Sequence, residues 1–192
     1  MTSFTVHTLQ TAPAASRPLL ESIQKAFGFI PNLFAVFAES PAALQGALAM
    51  STAFAKSTLS PAEQQLVALA VSVANDCPFC VAAHSTIAKH LAKADPEWVA
   101  ATRAGAALAD AKLDVLVSFV RQLVEQRGFV ADAQVARFLD AGYTKAQLLE
   151  VLLGVGMKTF NNYTDHLAHV PLNEQFEGEA WTATRQQPLE HV

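Results

Sequence analysis

From residue 17 to 170 apolar side chains return at spacings of three and four, with Ala, Gln, Glu and Lys filling the positions between. Period-two alternation of β-branched residues is almost absent. The pattern predicts an all-α fold. Helix starts are spelled by a capping residue followed by proline: Ser40-Pro41, Ser60-Pro61, Cys77-Pro78 and Asp95-Pro96. Stops fall at Gly28 after a segment opening near Pro18, at Gly128 after one opening near Asp110, and at Gly142 after one opening near Asp132. A last long helix is predicted from Thr144, which forms a capping-box spelling with Gln147, until Pro171 ends it.

The ends of the chain are more polar. Residues 173–192 hold Phe176 and Trp181 among polar neighbours, and residues 1–16 read similarly. Both are expected to be arms packed on the body or on a neighbouring subunit, so that residues 1–192 form a single domain. A shift of 82 positions superposes Gln65 on Gln147, Leu66 on Leu148, Val73 on Val155 and His84 on His166. Such a match also arises between any two Ala/Leu/Val-rich helices, so an internal duplication is only one of two readings.

Composition narrows the function classes. The chain is 52% hydrophobic and 16% charged, enough apolar surface to build a core. Its 13 Lys+Arg against 17 Asp+Glu give a net charge of −4, so no basic field is available to attract a phosphate backbone. The longest nearly pure apolar stretch, Leu66 to Ala74, falls well short of the roughly 20 residues of a membrane helix. The N-terminal residues spell no secretory leader, and a cytoplasmic location is expected.

The chemistry concentrates at the only two cysteines, Cys77 and Cys80, where a new helix opens. Unpaired N–H groups and the positive end of the helix dipole favour an anion there, and in CxxC motifs this setting lowers a thiol pKa from ~8.5 to between ~3.5 and ~7.5. His84 lies four residues after Cys80 on the same helical face, close enough to accept its proton. Cys77 and Cys80 are near enough to close a disulfide with little movement. The expected cycle is attack of one thiolate on a peroxide or disulfide and resolution by the other thiol. A buried structural role for the pair is the bland alternative. A zinc site would need a fourth ligand, and His90 does not share the Cys80/His84 face. A thioredoxin fold needs strands that the chain does not supply. No phosphate loop, Ser-His-Asp spacing or other cofactor signature is present, and neither cofactor nor metal is expected.

Leu59-SPAEQQ, the apolar helix after it and Cys77-PFC-VAA-His84 resemble the alkylhydroperoxidase D-like proteins of the carboxymuconolactone decarboxylase family. Gly28-FIPNLF resembles the entry segment of the peroxidase-related branch, and Asn161-NYTDH its C-terminal helix. The resemblance implies an all-helical, oligomeric protein (dimer, trimer or hexamer) that reduces hydroperoxides or disulfides and is recharged by a lipoyl or thioredoxin-like protein. It also implies that Cys80 attacks, that Cys77 resolves and that His84 serves the proton. The branch usually carries Glu where this chain has Gln65, which can orient His84 but cannot relay a proton, so slower turnover is expected. Glu63, Phe79 and His166 are further candidates for the pocket. Glu63 also fits a capping box with Ser60, and a histidine satisfied by backbone or by Asp165 is the plainer reading of His166. A non-catalytic redox sensor or binding module, with a reversible Cys77–Cys80 disulfide, is the competing hypothesis.

Overall fold

A computed structural model describes residues 4–182 of the chain. Among these residues it is all helical: α1 Arg17–Phe27, α2 Asn32–Phe37, α3 Pro41–Ala55, α4 Pro61–Ala74, α5 Pro78–His90, α6 Pro96–Arg103, α7 Ala111–Glu125, α8 Asp132–Asp140 and α9 Lys145–Ala168. A 3-10 helix, Glu174–Glu179, follows. The four capping residues before proline all sit at N-caps, as their spelling predicts. Ser60 and Glu63 form a full capping box at α4, and Thr144 and Gln147 another at α9. The described residues include no helix long and apolar enough to cross a membrane.

One expectation on the chain's organisation is corrected, and one open reading is decided. The last helix stops at Ala168 rather than running to Pro171, because His169 turns into the left-handed region at φ 49° and donates its N–H back to Asp165. The 82-residue shift is not a repeat of structure. It superposes the break between α4 and α5 on residues deep inside the unbroken α9. The sequence pattern also passed over α2 and the 3-10 helix, each only six residues long.

The core is organised around α4, where every residue from Leu66 to Ser72 is buried. A helix apolar all round must be surrounded, and α4 packs against α5, α6, α7 and α9. Leu66, Val67, Ala70 and Val71 meet Leu116, Val117 and Val120 of α7 and Val151 and Met157 of α9. A second cluster holds Cys77, Phe79 and Cys80 together with Leu33, Phe37, Leu44 and Phe176. The CxxC turn is therefore part of a core rather than a surface loop.

Segments towards both ends of the described residues reach this second cluster. Ser16 donates to the Ala38 carbonyl at 2.7 Å. The Asn32 N–H donates to Asn173 Oδ1 at 2.8 Å, and Arg103 holds the carbonyls of Glu179 and Ala180 at 3.0 Å each. Lys89 pairs with Glu179 at 2.7 Å. These bonds seat Phe176 edge-on against Phe79, with ring centroids 5.9 Å apart. The remainder of the expected arms, residues 1–3 and 183–192, lies outside the described residues.

Close approach of α9 to α3 and α4 depends on Gly154. A Cβ there would lie 2.7 Å from the Phe54 ring and 3.0 Å from Val67 Cγ1. Gly154→Ala is expected to lower the unfolding free energy by about 1–3 kcal/mol through overpacking, despite alanine's better helix propensity. Gly46→Ala in α3, which meets nothing within 4 Å, should instead gain about 0.5–1 kcal/mol. Urea denaturation of the two variants checks the contrast.

Candidate active site

The site is built where α4 ends and α5 begins. Asp76 adopts φ 52° between them, a conformation Asp tolerates better than most side chains, and this reverses the chain into the Cys77 N-cap. The Cys77 N–H donates back to the Ser72 carbonyl at 2.9 Å. Asn162 of α9 ties the turn from the other side, accepting from Asn75 at 3.0 Å and donating to Ser72 Oγ at 3.4 Å.

Both cysteines are free thiols and buried. Cys77 Sγ caps α5 by accepting the Cys80 N–H at 3.4 Å. Its own hydrogen goes to Asp165 Oδ2 on α9, 3.1 Å away. Cys80 faces a cavity of about 260 Å³ that Cys77 does not line. Gln65, His84, Lys158 and Asn161 are among the polar residues that line it together with Cys80. Phe27, Phe34, Phe54, Phe79 and Phe176 form much of the apolar wall, which places Phe79 at the cavity.

The two sulfurs are driven in opposite directions. Burial pushes the Cys77 thiol up, and its interactions with Cys80 and the Asp165 charge add to this, so Cys77 keeps its proton. Burial also pushes Cys80 up. The interaction with Cys77 and the nearby Lys158 ammonium outweigh it and bring Cys80 down to about 6. Lys158 is 1% exposed, so its charge acts on Cys80 with little screening by water. This ordering agrees with Cys80 as the more acidic thiol.

His84 and Gln65 meet as expected, with Nδ1 2.9 Å from Gln65 Oε1. An amide oxygen only accepts, so the pairing holds the ring in its Nδ1–H tautomer and leaves Nε2 as a base. Burial and the Lys158 charge hold His84 well below its usual range, so it is neutral. The expected hydrogen bond between imidazole and sulfur is not found: none joins His84 to Cys80 among the described residues, although both line the cavity.

Glu63 and His166 do not line the cavity, which corrects their place as pocket candidates. Glu63 accepts from the Ser60 N–H at 2.8 Å and from the Tyr143 hydroxyl at 2.9 Å, so its carboxylate is spent on the capping box and on α9's entry. His166 sits eight residues after Lys158, about 80° around α9 from it. Its ring stacks at 6.1 Å on the exposed Tyr163, and its Nε2 has no hydrogen-bond partner among the described residues. The satisfied histidine expected from the sequence is thus not found at that nitrogen.

Residues 39–113, which run from the start of α3 past the cysteines to the start of α7, match the carboxymuconolactone decarboxylase family. The match spans less than half of the chain. Its fold is that of alkylhydroperoxidase D-like proteins. A peroxidase-related protein from Silicibacter sp. TM1040 superposes with TM-score 0.80 at 20% identity, covering 93% of this chain and 94% of that one. An alkylhydroperoxidase AhpD-core, peroxidase-related protein from Ralstonia eutropha JMP134 gives 0.81 at 21%, covering 90% and 93%. The debrominase Bmp8, a cysteine-to-alanine variant in complex with 2,3,4-tribromopyrrole, gives 0.77 at 14%, covering 93% and 96%. Among curated proteins none matches the chain in sequence.

The matched segment supplies Gln65, Cys77, Cys80 and His84, but α9 lies outside it. Lys158, Asn161 and Asp165, all of α9, are the site residues that sequence reasoning missed. Their spacing of three and four places them on one helical face, and this polar stripe within an apolar helix is the signal that could have found them. Removing the ammonium while keeping the side chain's bulk, as in Lys158→Met, should raise the Cys80 pKa from about 6 towards or beyond that of a free thiol. In the native protein alkylation should climb as pH rises through about 6. In Lys158→Met that climb should move to higher pH, and the rate with iodoacetamide at neutral pH should fall at least ~10-fold. Stopped alkylation followed by mass spectrometry across a pH series measures both.

Proposed function

We propose that this protein is a thiol-dependent peroxidase or disulfide reductase whose Cys77/Cys80 pair reduces hydroperoxides in antioxidant defence. The observation that carries this reading is the asymmetry of the pair: Cys80 is acidified and faces a cavity, while Cys77 is protonated, excluded from the cavity and within 3.4 Å of the Cys80 backbone. Cys80 thiolate attacks the terminal peroxide oxygen, and the O–O bond breaks to give the Cys80 sulfenic acid and an alkoxide that takes a proton. Neutral His84, with Nε2 as its free nitrogen, accepts and returns protons in the cavity. Cys77 then displaces the sulfenic oxygen as water and closes the disulfide. A lipoyl or thioredoxin-like dithiol reopens it.

Asn161 suits the same use. It is 5% exposed, lines the cavity, and its Oδ1 has no hydrogen-bond partner among the described residues, so it offers an acceptor to a hydroperoxide O–H. The protein works as an oligomer. In support, Leu149, Leu152, Phe160, Tyr163 and Leu167 form an exposed apolar stripe along α9, spaced so that they face one side of the helix.

Two other readings rest on specific observations. Gln65 in place of a carboxylate favours a sensor, in which the disulfide forms once and alters a contact without turnover. The aromatic cavity walls favour a flat halogenated ring, on which the dithiol would exchange bromine for hydrogen while forming the disulfide and releasing hydrogen bromide. tert-Butyl hydroperoxide with dithiothreitol, and tribromopyrrole in a parallel arm, separates the three. Repeated peroxide consumption is expected; one stoichiometric oxidation without cycling would support the sensor, and bromide release without peroxide turnover the dehalogenase.

Intact mass after peroxide assigns the roles. The native protein should lose two mass units as the disulfide closes, Cys77→Ser should retain one added oxygen on Cys80, and Cys80→Ser should show neither change. Loss of peroxide reactivity in Cys77→Ser but not in Cys80→Ser would reverse the assignment.

Gln65→Glu tests the departure from the expected carboxylate. A carboxylate accepting from His84 Nδ1–H would favour the imidazolium and raise the His84 pKa, so turnover should rise by ~10-fold. The kcat–pH profile should gain a limb from His84 titration that the native protein lacks in the same range.

A further inference from the structure

We propose that Asp165 is a catalytic residue of the resolving step: it accepts the proton of Cys77 as that thiol closes the disulfide. The inference rests on the dithiol reading above and extends it to a residue outside the family match. Asp165 reaches the turn from α9, 88 positions along the chain, and its Oδ2 receives the Cys77 thiol hydrogen at 3.1 Å. It is 6% exposed, so solvent does not compete for that bond. The other hydrogen bond to this sulfur comes from the Cys80 N–H, with the sulfur accepting, and so cannot take the proton.

Cys77 needs such an acceptor because only a thiolate attacks, and burial, Cys80 and the Asp165 charge keep this sulfur protonated against the opposing pull of Lys158. His84 is badly placed for the task. Gln65 occupies its Nδ1, and the ring lines a cavity that Cys77 does not reach. Asp165 is placed and also tuned. Burial raises its pKa, making it a stronger base than a surface carboxylate, and Cys77, His166, the Val170 N–H and Lys158 moderate that rise. Cys80 is the remaining titratable group of the cluster, since it interacts with Asp165 across the start of α5.

The step balances. The proton passes from Cys77 Sγ to Asp165 Oδ2, the Cys77–Cys80 S–S bond forms, and the S–O bond of the Cys80 sulfenic acid breaks. Cys77 sulfur is oxidised and Cys80 sulfur reduced to the disulfide level. The departing hydroxide takes up a proton and leaves as water, returning Asp165 to its carboxylate. That return matters electrostatically. Once Cys80 is no longer a thiolate, Asp165 is the anion of this cluster left to face buried Lys158.

The test separates the two steps in the full-length reduced protein. One equivalent of tert-butyl hydroperoxide is mixed in, a dimedone-type reagent traps sulfenic acid, and intact mass follows disulfide closure over time. In Asp165→Asn the sulfenic acid should persist, with closure slowed by ~10²-fold relative to its formation, as for loss of a general base. In the native protein closure should slow as pH falls through the Asp165 titration. Asp165→Glu should recover much of the rate and keep that acid limb, whereas Asp165→Asn should lose it. Far-UV circular dichroism checks folding; if the asparagine variant does not fold, the native pH profile and Asp165→Glu decide. Closure as fast in Asp165→Asn as in the native chain, or a native closure rate flat across the acid range, would overturn the role of Asp165. Absence of any sulfenic acid or disulfide in the native protein would instead overturn the peroxidase reading.

Discussion

An ammonium group sealed in the protein interior sets the terms for everything around it. Lys158 is 1% exposed, and taking such a charge out of water costs several kcal/mol unless anions and hydrogen bonds compensate. The structure supplies Cys80 and Asp165. The dependence runs both ways. Cys80 is as buried as the lysine, and burial alone would raise its pKa above that of a free thiol, leaving it protonated at neutral pH. A thiolate in this core therefore presupposes α9 docked with Lys158 inward.

That docking explains features of the fold that otherwise look unrelated. The close approach at Gly154 lets α9 lie against Phe54 and Val67, close to the cavity wall that Phe54 and Met157 help to form. Asn162 pins the same helix to the α4–α5 turn through Asn75 and Ser72, which fixes its rotation about its own axis. With the rotation fixed, Lys158, Asn161 and Asp165 arrive together, because they repeat at the spacing of one helical face. The chain's C-terminal segment completes the enclosure by seating Phe176 on Phe79.

Helix starts were legible in the sequence because caps and proline act locally: Ser40, Ser60, Cys77, Asp95 and Thr144 each need only the next few residues to form their hydrogen bonds. The Gln65–His84 contact was legible for a related reason, since one helical hairpin carries both residues. What the sequence hid lies across long separations. The polar face of α9 turns inward while Leu149, Leu152, Phe160, Tyr163 and Leu167 stay exposed, the reverse of what hydropathy alone assigns to a surface helix. Rotating α9 by about half a turn from that naive placement brings Lys158 to the sulfur. Nothing local encodes the choice; α4, buried on every side, dictates it. Glu63 and His166 misled for the same reason, one being claimed by the distant Tyr143 and the other rotated off the inward face.

The two sulfurs differ in what they can meet. Cys80 borders the cavity and Cys77 does not, so a reagent admitted through the aromatic walls encounters one thiol while the other encounters only protein. A symmetric pair would let either sulfur be oxidised first and would leave the order of events to chance. Here capping geometry removes that symmetry, since the residue at the N-cap folds its sulfur under the first turn to accept the Cys80 N–H, and the third residue of the helix points its own sulfur outward to the cavity. The same backbone bond that starts α5 therefore sets which thiol a substrate can reach. A carboxylate and an ammonium about two turns apart on one face of α9 then give each sulfur its own partner, Asp165 for the one that must hold a proton until needed and Lys158 for the one that must already have lost it.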